Sequence, residues 1–106
     1  MAWATLALAI LAEVFGTTML KVASQALTPW SVVGVAVGYG AAFALLLVTV
    51  RTLPLGLAYA VWSGAGTALI AVVGWIFFGQ RLSAAALFGI ALIVVGVFVV
   101  QFASPE

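Results

Sequence analysis

Long apolar runs broken by short polar or proline-bearing stretches set the pattern of this chain. The first run covers about 3–20 and ends at Lys21, and the polar stretch Val22 to Pro29 (VASQALTP) follows it. The second covers about 30–50 and ends at Arg51, before a break over Thr52 to Gly56 (TLPLG). Pro54 has no backbone N–H to donate, and it disfavours helix at Leu53 before it. The third run covers about 57–78, after which Gly79-Gln80-Arg81 turns the chain. Ser83 is placed to N-cap a fourth run over about 84–102. Each run holds about 18–22 residues, the length a helix rising 1.5 Å per residue needs to cross roughly 30 Å of hydrocarbon. The pattern predicts an all-α membrane protein: four transmembrane helices in one domain over 1–106, with both termini on one side of the bilayer.

Composition sharpens this picture. Of 106 residues, 68% are hydrophobic and 5% are charged. A soluble domain of this size buries only about two-thirds of its chain's surface and could not hide so much apolar area. Lipid is therefore the solvent. A net charge of +1 leaves no basic patch for nucleic acid. With no Cys and no His, disulfides, soft metal sites, a catalytic triad and histidine acid–base chemistry are all excluded. No nucleophile–base pair remains for an enzyme, and no cofactor or metal is expected. The opening MAWATLALAILAE lacks a basic n-region and carries Glu13 inside its apolar stretch, so it reads as a retained span rather than a signal peptide. Trp3, Trp30 and Trp75 lie near predicted span ends, where indole rings favour the interface, whereas Trp62 does not.

The basic residues say little about orientation. Lys21 and Arg81 lie in the first and third connections, on one side, while Arg51 and the N-terminal amine lie on the other. So weak a positive-inside bias permits insertion both ways. An antiparallel dimer of one chain would then be a two-chain version of the inverted repeats that build many transporters.

The chain has two acidic residues, Glu13 within the first span and Glu106 at the end. A carboxylate at the centre of a span costs roughly 2.5–3.5 kcal/mol on insertion scales, so it marks a functional site unless it clamps helices together. A proton or a bound organic cation would each relieve that cost, and the two would compete. Competition at one carboxylate is antiport in its simplest form. Leu6, Ala9, Ile10, Gly16 and Thr17 share the face of Glu13 by helical spacing. In the third span, Tyr59 and Trp62 share a face and offer rings to a cation, with Ser63 beside them and Tyr39 of the second span as a further ring and hydroxyl. Gly64 and Gly66 read as a hinge or as tight packing. Gly34 and Gly38 form a GxxxG packing motif, and Gly89 and Gly96 mark one face of a fourth span that has no ionisable residue and is suited to association.

Taken together, these residues resemble the small multidrug resistance family, four-helix proton-coupled exporters of the bacterial inner membrane. The resemblance rests on Leu11-Ala12-Glu13-Val14 with Gly16-Thr17-Thr18 and Lys21, and on Pro54 and Gly56 followed by Ala58-Tyr59-Ala60-Val61-Trp62-Ser63-Gly64. It extends to Phe77-Phe78-Gly79-Gln80-Arg81-Leu82 and to the run from Gly89 to Val97, which resembles the family's dimerisation motif. The resemblance implies an antiparallel, dual-topology homodimer in which both copies of Glu13 form a shared site for protons and cations. Tyr59, Trp62, Leu6, Ala9, Ile10, Gly16, Thr17 and Tyr39 would surround it. Trp3 falls where relatives carry a Tyr near the mouth of the site, and Ala42 where some carry Ser. The family's guanidinium-exporting branch places a Trp where this chain has Gly16, so Gly16-Thr17-Thr18 resembles the branch that exports quaternary and aromatic cations. The expected partners are organic cations, protons, the bilayer and a second copy, with the proton gradient as the driving force. The competing readings are a guanidinium exporter, a heteromeric transporter that needs a paralogous chain, and a non-transporting membrane assembly subunit.

Overall fold

Helix-competent residues run without a breaker until the connections, and the backbone follows them. A computed structural model describes residues 2–103. In it α1 spans Ala2–Gln25, α2 Pro29–Thr49, α3 Leu55–Phe78 and α4 Ala84–Ala103. All four are long and apolar enough to cross a membrane.

The ends follow local chemistry more closely than hydropathy does. α1 continues past Lys21 to Gln25, because no Gly or Pro interrupts it before Pro29. Thr28 is extended (φ −122°, ψ 160°), as a residue before proline should be, and it caps α2. Its hydroxyl accepts from the Ser31 N–H at 3.2 Å, while Ser31 Oγ accepts from the Thr28 N–H at 3.1 Å. This is a reciprocal capping box with Pro29 in the first turn. α3 starts at Leu55, directly after Pro54, and ends at Gly79, whose φ of 64° is the left-handed region where glycine carries no penalty. The Gln80 N–H closes that end by donating to the Gly74 carbonyl at 3.0 Å. Ser83 caps α4, its hydroxyl oxygen accepting from the Ala86 N–H at 3.1 Å.

α1 packs most extensively on α2, α3 lies against α1, and α4 lies against α3. In lipid no hydrophobic force draws helices together, so close van der Waals contact and hydrogen bonds between them decide the packing. The α1–α2 seam supplies both. A Cβ added to Gly38 would lie 2.5 Å from Gly16 Cα, and one added to Gly34 would lie 2.7 Å from Met19 Cγ. Further along, the hydroxyls of Thr5 and the fully buried Thr49 meet at 2.8 Å. Between α1, α3 and the turn after α2, Leu6, Ile10, Leu53, Ala58 and Val61 form a buried cluster. Leu53 is buried because its N–H bonds to the Thr49 carbonyl at 3.0 Å, which folds the pre-proline residue inward.

The result is a thin layer rather than a closed bundle. Its extents are 45 × 35 × 16 Å, the last less than half of either other. The radius of gyration is 14.7 Å, against about 13 Å for a compact chain of this length. None of the described residues of α4 is buried.

The seam can be tested directly. Gly38→Val must push against backbone, which cannot move aside, and we expect it to destabilise the detergent-solubilised protein by at least about 1–3 kcal/mol. Gly40→Ala, at a position inside α2 with nothing within 4 Å, should leave the thermal unfolding midpoint unchanged or raise it, since alanine is the better helix former.

Candidate functional site

The Gly16–Gly38 contact does more than pack two helices. Thr17 follows Gly16 and Tyr39 follows Gly38, so the close approach carries the Tyr39 hydroxyl to 2.6 Å from Thr17 Oγ1. Thr17 lies one helical turn after Glu13, and its hydroxyl donates to Glu13 Oε2 at 2.8 Å. A threonine hydroxyl has one proton. Once that proton points at the Glu13 carboxylate, Tyr39 has to be the donor to Thr17. The chain Tyr39 to Thr17 to Glu13 is therefore directional while Glu13 is ionised, and its direction can reverse when Glu13 carries a proton.

The other carboxylate oxygen faces α3. Gly66 is opposite it, and a Cβ there would stand 2.9 Å from Glu13 Oε1. Glycine at this position leaves the room that a side chain would fill. Glu13, Thr17, Tyr59, Trp62, Ser63, Gly66, Thr67 and Ile70 line a cavity of about 360 Å³. No Lys or Arg is among the lining residues.

Trp62 is held in place by two edge-to-face contacts, with Phe43 at 5.6 Å and with Tyr59 at 5.7 Å between ring centroids. Its buried Nε1–H has no partner among the described residues. Ser63 and Thr67 donate their hydroxyl protons to the carbonyls of Tyr59 and Ser63, at 2.8 and 2.7 Å. What these hydroxyls can still offer the cavity is oxygen lone pairs. A single carboxylate, aromatic rings and hydroxyls with their protons engaged elsewhere make a lining suited to a positive charge.

The structure gathers Glu13, Thr17, Tyr59, Trp62 and Ser63 on this cavity and attaches Tyr39 through Thr17. It does not bring every sequence candidate to the lining of the single chain. Leu6 and Ile10 belong to the buried cluster, Trp3 packs against that cluster, and Ala9 is fully buried. Gly16 backs onto Tyr39 in the seam. α3 runs unbroken through Gly64 and Gly66. Gly64 admits Val97 of α4, since a Cβ there would lie 2.5 Å from Val97 Cγ2, whereas Gly66 faces Glu13. Gly89 and Gly96 have nothing within 4 Å. Three residues of the site escaped the sequence reading: Phe43, Thr67 and Ile70. Thr67 and Ile70 continue the stripe of Tyr59, Trp62, Ser63 and Gly66 at helical spacing. That signal is present in the sequence but faint, because polarity does not distinguish the faces of so apolar a helix.

The family model described as Small Multidrug Resistance protein matches residues 1–93. The multidrug resistance protein EbrB of Bacillus subtilis is 47% identical over 96 residues, 91% of this chain and 82% of that one. The multidrug transporter EmrE of Escherichia coli K12 is 46% identical over 96 residues, 91% of this chain and 87% of that one. The quaternary ammonium compound-resistance protein QacF of Klebsiella aerogenes is 46% identical over 104 residues, 96% of this chain and 93% of that one. With four membrane-spanning helices, the chain belongs to the small multidrug resistance family, as a multi-pass transporter of the bacterial inner membrane and not an enzyme.

Proposed function

We propose that this protein is a proton-coupled antiporter that exports lipophilic and quaternary organic cations, with Glu13 binding protons and substrate in turn. One observation carries the reading. The only acid among the described residues lies inside a membrane span, with one oxygen held by a hydroxyl chain and the other facing an aromatic-walled cavity. An ionised carboxylate there is costly until something neutralises it. A proton does so, and so does a cation, and each lowers the affinity for the other. Tyr59 and Trp62 add ring faces, worth about 0.5–2 kcal/mol each to a cation. When a proton replaces the cation, the Thr17 and Tyr39 hydroxyls can reverse their donation and keep the buried polar atoms satisfied.

The substrate class is supported by similarity to a protein named for resistance to quaternary ammonium compounds. It is supported as well by Gly16, where a Cβ would already lie 3.1 Å from the Tyr39 ring and backbone nitrogen. The ring that the guanidinium branch carries there would not fit this seam.

The working unit we propose is an antiparallel homodimer with two copies of Glu13 in one site. The thin shape, the cavity bordered by the exposed Tyr59, Ser63 and Thr67, and the open Gly89 and Gly96 face of α4 all favour a second copy. Two identical chains inserted oppositely would make the inward-open and outward-open states equivalent, differing only in which subunit plays which part. Protons and substrate would then set the direction of transport.

Tetraphenylphosphonium binding to the purified protein, followed from pH 5 to 9, tests the central claim. Binding should strengthen as pH rises, with proton release on cation uptake, and Glu13→Gln should abolish it. A Glu13→Gln variant that binds as well as the native chain would sink the reading, and tight binding of guanidinium alone would move it to the other branch. The hydroxyl chain makes a separate prediction. Thr17→Val removes a hydrogen bond to the charged form of Glu13, worth about 1.5–3 kcal/mol. At alkaline pH the free and the cation-loaded protein both lose it, so affinity there should change little. At the acid end of the titration, where a proton competes, affinity should fall roughly 10- to 100-fold. Tyr39→Phe removes a neutral bond, worth about 0.5–1.5 kcal/mol, and should cost about 2- to 10-fold at that same end.

A further inference from the structure

A second feature lies on the far side of α3, outside the Glu13 cavity. Ala71, Val72 and Trp75 of α3, Leu82 of the connection, and Leu87 and Ile90 of α4 line an apolar groove of about 370 Å³. At a water-sized ~30 Å³ per group, that is room for roughly a dozen groups, the upper part of an acyl chain. The groove lies at the end of the molecule where α3 turns into α4. Arg81 is bonded directly to Leu82 at its rim, and it is exposed. Trp75 is 60% exposed, three residues before the end of α3, with its indole on the groove.

The charge at this end is one-sided. Lys21 and Gln80 line a common smaller cavity with Gly74 and Phe78, so Lys21 and Arg81 belong to the same end of the molecule. The only acid among the described residues is Glu13, which lines the other cavity. Two cations at one membrane face have no anionic partner there among the described residues, and one of them adjoins an apolar slot.

The groove is also distinct from the small-residue face of α4. At about 100° per residue, Gly89 and Gly96 lie about 200° and 180° around the helix from Leu87. A second copy seated on Gly89 and Gly96 would leave Leu87 pointing the other way, into the groove.

We propose that this groove is a binding site for an anionic phospholipid. The upper part of one acyl chain lies between α3 and α4, the phosphate headgroup sits on the Arg81 guanidinium, and Trp75 is at the glycerol level. Arginine suits this role because its planar fork meets phosphate oxygens in pairs. The indole has an apolar body for the chain and an N–H for the ester region. The assignment is independent of what Glu13 binds.

Native mass spectrometry of the detergent-solubilised full chain, with phosphatidylglycerol or phosphatidylethanolamine of identical acyl chains, reads the site. The native protein should retain phosphatidylglycerol about fivefold better, the preference expected of one basic side chain at an anionic headgroup. Arg81→Gln should erase that preference and Arg81→Lys should keep most of it. Leu87→Trp, which fills the groove, should lower retention of both lipids. Circular dichroism and size-exclusion profiles matching the native protein establish that each variant is folded. Equal retention of the two lipids by the native chain would overturn the proposal. So would an unchanged preference in Arg81→Gln, or its loss in Lys21→Gln alone, which would place the headgroup at the other cation. A disulfide formed readily between copies of Leu87→Cys would overturn it as well, because the groove would then be an interface between chains.

Discussion

The tight approach of Gly16 of α1 to Gly38 of α2, where an added Cβ would meet backbone, is the contact on which the site depends. Helices in lipid gain nothing from hiding apolar surface against one another. They hold position where small residues let backbones meet and where polar groups can pair. Here both effects act along one seam, with glycines at the site and the Thr5–Thr49 hydroxyl pair towards the start of α1. Because the glycines directly precede Thr17 and Tyr39, the packing that joins the helices also sets the spacing of the hydroxyl chain to Glu13. Stability and function therefore share a geometric origin, and a change at the seam displaces the carboxylate's only donor among the described residues.

α3 works differently. Its glycines at 64 and 66 lie within an unbroken helix and let neighbours come close on two sides. Gly66 leaves room beside a carboxylate oxygen, and Gly64 receives Val97 of α4. Between these contacts the helix presents Tyr59, Trp62, Ser63 and Thr67 to the cavity, with the Ser63 and Thr67 hydroxyl protons donated to the helix's own carbonyls. One stripe thus supplies rings and lone pairs but no positive charge. Such a wall accommodates cations of different shape, because ring faces and lone pairs act over broad angles whereas a fixed set of donors would demand one geometry.

Much of this was legible in the sequence because the relevant physics is local or compositional. Four apolar stretches of spanning length can be little other than membrane helices, since unpaired backbone polar groups have no place in hydrocarbon. Pro54, Gly79 and Ser83 marked helix ends through their own backbone chemistry. Thr28 carried the same kind of signal, a capping residue ahead of Pro29 and three before Ser31. A lone glutamate in an apolar helix announces itself by its energetic cost. Hydropathy did not locate the end of α1, because a helix stops where its backbone is interrupted and not where its side chains become polar.

Charge and helical period by themselves therefore determined four spans, one intramembrane carboxylate and an aromatic face on the third span. Tertiary structure alone decided which residues meet it. Leu6, Ala9 and Ile10 share Glu13's side of the helix by spacing, but in the single chain they are buried away from the cavity. Helical spacing defines a face about 100° wide or more, and neighbouring helices divide that face between them. α2 takes the part at Gly16 and joins Tyr39 to Thr17, while Gly66 of α3 opens the part at Oε1. These partners are separated from Glu13 by whole spans of sequence, and nothing in the local pattern encodes which helix will approach which part of the face. That depends on how closely backbones can come together, which only the packed structure resolves.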